Sequence, residues 1–169
     1  MRLADTLIQE LDMEAVTTRR VLERIPDAHL GWRPAEKSRT LGQLALHVAM
    51  SPGAVATMAS SNPATLPSFN DMEVSPASRA DVLAALDRSL AQARTVVGAM
   101  DDGALLETWR VSANGREIMA VPRIGFLRSI MLNHWYHHRG QLSVYLRLLD
   151  VPLPSIYGPS ADENPFVPA

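Results

Sequence analysis

Along most of this chain the apolar residues recur every three or four positions, and that spacing restricts the fold more than any other feature. Leu3, Leu7, Leu11, Ala15, Thr18 and Leu22 form one stripe of a helix running from residue 2 to about 24, which Pro26 ends. Ser38 or Thr40 can cap a second helix, on which Leu41, Leu44, His47 and Val48 share a face. Pro52 is expected to kink or restart this helix on its way to Ala59. Residues 61–76, rich in Pro, Ser and Asn, read as a long surface loop.

Ser78 opens a third helix in which Val82, Leu86, Leu90, Ala93 and Val97 keep the helical period to Met100, and Asp101-Asp102-Gly103 breaks it. Asn114-Gly115, set between short mixed runs over residues 109–121, is a hairpin turn signal. The last helix spans about 122 to 149, with Leu127, Met131, His134, His138, Leu142 and Tyr145 on one stripe and Pro152 and Pro154 closing it. A tail rich in Pro, Ser and Gly follows and packs as a loop. Four long amphipathic segments predict an all-α four-helix bundle, with a small β-hairpin before the last helix. At 169 residues a single domain over 1–169 is expected, long enough to bury a core without staples.

Composition narrows the function. With 47% hydrophobic and 20% charged residues the chain reads as globular. A net charge of -2 and no basic run longer than Arg19-Arg20 argue against a nucleic-acid partner. No segment has the length and apolarity of a membrane span, and residues 1–12 lack the apolar core of a signal peptide, so a soluble, cytoplasmic protein is expected. There is no cysteine. That excludes disulfides, thiolate metal sites and a cysteine nucleophile, and leaves imidazole, carboxylate, backbone or water as ligands for any metal.

Three of the five histidines, His134, His137 and His138, fall within five residues. Successive helical residues turn by about 100°, so positions four apart lie about 40° apart and one turn on. His134 and His138 therefore point the same way, along the apolar stripe, while His137 is rotated off it. His47 takes the inward register of the second helix. Inward imidazoles without partners cost about 1–3 kcal/mol each. They can be satisfied by sharing a metal ion or by hydrogen bonds to carbonyls and carboxylates, and spacing alone leaves both open. His29 is expected on the surface. Gln141, near His138, is a candidate to orient an imidazole. Gly140 is expected to permit close helix approach, and Arg139 to pair with a carboxylate of another helix. Asp12, Glu14 and Arg19 lie within possible reach of a site but read as ordinary helix charges. Trp32, Trp109 and Trp135 read as packing aromatics.

Three stretches carry a family resemblance: Trp32-Arg33-Pro34 followed by Lys37-Ser38; Leu41-Gly42-Gln43-Leu44-Ala45-Leu46-His47-Val48; and His134-Trp135-Tyr136-His137-His138-Arg139-Gly140-Gln141-Leu142. With the tail's Tyr157-Gly158-Pro159-Ser160, they make the chain resemble the DinB/YfiT-like superfamily. The resemblance implies a four-helix bundle with a long crossover connection and one divalent metal ion on His47, His134 and His138. Zinc or nickel suits such a set first, with iron or manganese as further candidates. Three imidazoles leave a coordination position open, as in catalytic sites. Some members of the superfamily are S-transferases and isomerases that use low-molecular-weight thiols such as bacillithiol or mycothiol. Two functions are thus expected from different classes. One is a metal-dependent enzyme, of S-transferase or hydrolase type, that activates water or an external thiol toward a small-molecule substrate. The other is a non-catalytic metal-binding module or sensor whose ion stabilises the bundle. A homodimer is expected for either.

Overall fold

The computed structural model describes residues 1–66 and 74–167. Its elements are α1 (Leu3–Leu22), a 3-10 turn Asp27–His29, α2 (Leu41–Ala59), β1 (Ala64–Thr65), α3 (Arg79–Gly98), α4 (Asp102–Leu106), β2 (Thr108–Ala113), β3 (Arg116–Pro122), α5 (Arg123–Phe126), a π-helical stretch Leu127–Asn133, and α6 (His134–Leu148). The consecutive segments from α5 to α6 act as the fourth long rod beside α1, α2 and α3, so the expected four-helix bundle is present, with a small sheet appended. α2 packs most extensively on α3 and also on α6, while α1 packs on α3. No helix among the described residues is long and apolar enough to cross a membrane.

The helix starts follow their caps. Thr40 accepts from the Gln43 N–H at 3.2 Å while the Gln43 side chain accepts from the Thr40 N–H at 2.9 Å, a reciprocal cap that opens α2. Ser78 accepts from the Asp81 N–H and opens α3. Pro52, expected to kink or restart α2, sits inside an unbroken helix. A proline there leaves the carbonyl of Val48 without its helical donor. The buried Trp135 indole supplies the missing N–H, donating to Val48 O at 2.8 Å. One bond thus repairs α2 and ties it to α6.

The Asn114-Gly115 turn forms as read, with φ of 50° and 74°, the left-handed pair that a two-residue hairpin needs. β2 and β3 pair antiparallel on either side of it. The segment read as loop over 61–76 contains β1, which adds to β2 in parallel and makes three strands. Residues 67–73 of that loop lie outside the described residues. α4 was not legible as a helix: Asp101 caps it by accepting from the Ala104 N–H at 2.7 Å, so the Asp-Asp-Gly break is also a start. α3 ends at Gly98, not Met100.

The last helix departs most from its expected regularity. The π-helical stretch immediately precedes His134. Beyond it the buried residues are Trp135, Arg139, Leu142 and Leu146, with His134 and His138 half-buried beside them. The histidines therefore flank the core stripe and do not sit in its centre. Gly140 does not permit a close approach, because a Cβ there would meet nothing within 4 Å. Gly53 does, since its Cβ would stand 2.8 Å from the Ser89 carbonyl oxygen.

Candidate metal centre

α2 contributes His47, and α6 contributes His134 from its first turn and His138 one turn later. The Trp135–Val48 bond holds the two helices together beside these residues. The three imidazoles pack edge to face, with ring centroids 5.2 Å apart for His47–His134, 4.4 Å for His47–His138 and 4.3 Å for His134–His138. One ligand nitrogen from each lies within 4.8 Å of the others. His134 Nε2 and His138 Nε2 face each other at 2.9 Å. Ligand nitrogens on a tetrahedral zinc stand about 3.3 Å apart, so this spacing fits a shared ion after small side-chain adjustments.

Two further observations bear on the fit. His47 Nε2 and His134 Nδ1 are buried without a hydrogen-bond partner among the described residues, a costly state that ligation would relieve for His47. His138 Nδ1 lies 2.7 Å from Gln141 Oε1. A carbonyl oxygen only accepts, so Nδ1 carries the proton and Nε2 keeps its lone pair facing His134, as a metal ligand requires. Gln141 thus takes the orienting position that its sequence place suggested.

The electrostatics keep the set neutral. Burial pushes His47 down to about 3, helped by the charge of Arg39 and then by His138 and His134. Burial pushes His138 down to about 4, against the opposing hydrogen bond to Gln141. His134 is lowered by burial, then by His137 and Arg39. Neutral imidazoles need no proton loss before they bind a cation.

The remaining sequence candidates fall elsewhere. His137 is exposed, with its ring 5.0 Å from that of His138, and His29 is exposed on its turn. Arg139 is 1% exposed and pairs with Glu14 at 2.6 Å. Its guanidinium also donates to Thr18 Oγ1 at 3.1 Å and to Tyr157 Oη at 2.5 Å, between the Tyr136 and Tyr157 rings. Arg139 and Glu14 thus join α6, α1 and the tail. Asp12 pairs with Arg94 and Arg19 with Asp87, both bridging α1 to α3. Trp109 and Trp135 are fully buried, and Trp32 packs edge-on against Tyr145. Arg39, whose charge reaches all three imidazoles, was missed. Its place just before the α2 cap was the available signal. A separate groove of about 560 Å³ between α2 and α3, lined by Leu46, Met50 and Gln92 among others, includes none of the histidines.

Comparison with known proteins agrees with this architecture. The sequence pattern of the DinB superfamily matches residues 10–142. The uncharacterized protein YrdA of Bacillus subtilis strain 168 is 26% identical over 160 residues, covering 94% of this chain and 90% of its own. A DinB-like protein from Bacillus cereus ATCC 10987 superposes with a TM-score of 0.72 at 21% identity, over 90% of this chain and 97% of that one. The DinB-like YjoA of Bacillus subtilis follows at 0.67 and 18% identity, over 89% and 97%. At these identities the solved structures speak for the fold.

Proposed function

This chain belongs to the DinB superfamily, and from that premise we propose that it is a metal-dependent enzyme whose ion is held by His47, His134 and His138. The observation that carries the reading is the convergence of three neutral imidazoles from two helices, with ligand nitrogens within 4.8 Å. No carboxylate belongs to the cluster among the described residues, so three ligands leave a position open. Held by these residues, a divalent ion would lower the pKa of a water or thiol bound to it, for water on zinc to about 7. The chain has no cysteine. A thiol nucleophile must therefore arrive as a low-molecular-weight cosubstrate. Gln141 holds the His138 proton on Nδ1, and burial of His47 and His138 keeps competing protons off the ligands.

Metal content and turnover test the proposal together. Zinc- or nickel-loaded protein is expected to hold one ion per chain, and His47→Ala none. It is then assayed with bacillithiol, mycothiol or glutathione against electrophilic acceptors, and with simple esters and amides. Activity above a His138→Ala control supports the reading. A loaded protein silent across the panel is instead a metal-binding module, for which the ion's cross-link of α2 to α6 supplies the role.

A further inference from the structure

The groove of about 560 Å³ between α2 and α3 is lined from α2 by Leu46, Met50 and Ala54. These residues are spaced by four, so the groove follows the helix for two turns, about 12 Å. They bracket His47. Met50 stands three residues beyond it, where neighbouring side chains of one helix are about 5–6 Å apart at Cβ. Ala54 stands seven residues beyond it, a step that returns to within about 20° of the same direction. α2 is unbroken over this span. The groove and the three-histidine cluster therefore adjoin along one side of α2, and Met50, 50% exposed, lies at their boundary.

The polar side chains of the groove are mostly engaged within the protein. Ser89 Oγ donates to the Met50 carbonyl at 3.0 Å and accepts from the Gly53 N–H at 2.8 Å. Gln92 donates to Thr57 Oγ1 at 2.7 Å, and Asp81 accepts from the Ser78 hydroxyl at 2.9 Å. Arg88 and Ser75 have no side-chain partner among the described residues, but both are exposed. Val74, Pro76, Ala77 and Ala85 complete the lining. Satisfied donors and acceptors leave a ligand little to bond to, whereas apolar walls favour any apolar group that displaces their water. The volume lies within the range of about 300–1,000 Å³ of small-molecule sites.

We propose that this groove binds the apolar body of the substrate, an alkyl or aryl group joined to the part that reacts at the three histidines. This rests on the metal-centre reading above.

The probes are acetohydroxamate and its butano-, hexano- and octano- homologues, titrated into cobalt-loaded protein. The hydroxamate ligates the ion, followed by visible absorption, and calorimetry gives affinity. Affinity is expected to rise about three- to fourfold per methylene, as suits buried CH₂ groups, until the chain fills the groove. Ala54 is exposed, so Ala54→Phe narrows the groove without touching the core. It should flatten the series while cobalt stoichiometry stays unchanged. Met50→Glu, which sets a carboxylate at the boundary, should weaken the octano- homologue by tenfold or more, and it decides the matter if Ala54→Phe does not fold. A flat series in the unmodified protein, or one equally steep in the variants, overturns the groove assignment and leaves the metal reading intact. Failure to load cobalt overturns both readings.

Discussion

His138 Nδ1 and Gln141 Oε1 lie 2.7 Å apart on the same face of α6, and this single bond decides which nitrogen of His138 is free to bind a cation. Replacing Gln141 with Leu removes the acceptor and frees the ring to flip or change tautomer. Such partners typically contribute about 10- to 100-fold in metal affinity. Gln141→Leu is expected to weaken zinc binding by that factor in a chelator-competition titration. Its metal-free melting temperature should stay close to the parent's, because Gln141 is exposed. An unchanged affinity would rule out the orienting role.

Metal removal should loosen the junction of α2 and α6. An ion at about 100 times its Kd adds roughly 2.7 kcal/mol to the folded state. In a chain of this size that corresponds to about 5–10 °C in Tm. Calorimetry before and after chelation is expected to show such a drop, and His47→Ala protein none, since it has lost the ligand from α2.

Acid should destabilise the metal-free protein before its carboxylates titrate. Unfolded imidazoles take up protons near pH 6.5, whereas folded His138 resists to about 4 and folded His47 to about 3. Above pH 6.5 both states are neutral at these positions and stability is complete. Below it the unfolded chain binds protons that the folded one refuses, so stability falls with pH. Urea midpoints are expected to decrease from pH 6.5 to 4.5, and His47→Leu should flatten that slope. A midpoint constant across the window would contradict the lowered values.

Arg139 is 1% exposed beside Glu14, so removing the carboxylate strands a buried charge. Glu14→Gln is expected to cost about 3–5 kcal/mol, read as a loss of denaturation midpoint. The Tyr157 hydroxyl contacts both residues. The tail should therefore loosen in the same variant, measured as faster amide exchange around residue 157.

The two glycines should respond oppositely to alanine. At Gly53 the new Cβ would stand 2.8 Å from the Ser89 carbonyl oxygen, separating α2 from α3 at a cost of about 1–3 kcal/mol. Gly140→Ala meets only open space and is expected to stabilise α6 by up to about 1 kcal/mol. Thermal melts of both variants check the contrast.

Much of this protein is set by local chemistry, and such features are legible residue by residue. The 3.6-residue period determined the long helices, Thr40 and Ser78 their starts, and Asn114-Gly115 the hairpin. The four-residue step determined that His134 and His138 share a face. In each case the deciding interaction spans a few residues of backbone. What the tertiary structure decided depends on partners far apart in the chain. Pro52 passes through an unbroken helix because Trp135, distant in sequence, supplies the N–H that proline lacks. Close packing falls at Gly53 because Ser89 of α3 is there. The histidines lie at the flank of the core because Arg139, neutralised by Glu14, takes the interior position. His47 reaches the pair on α6 only through the packing of α2 on α6. Periodicity specifies a direction around one helix axis, while a site of several ligands needs the distance between two axes, which the packed core alone determines.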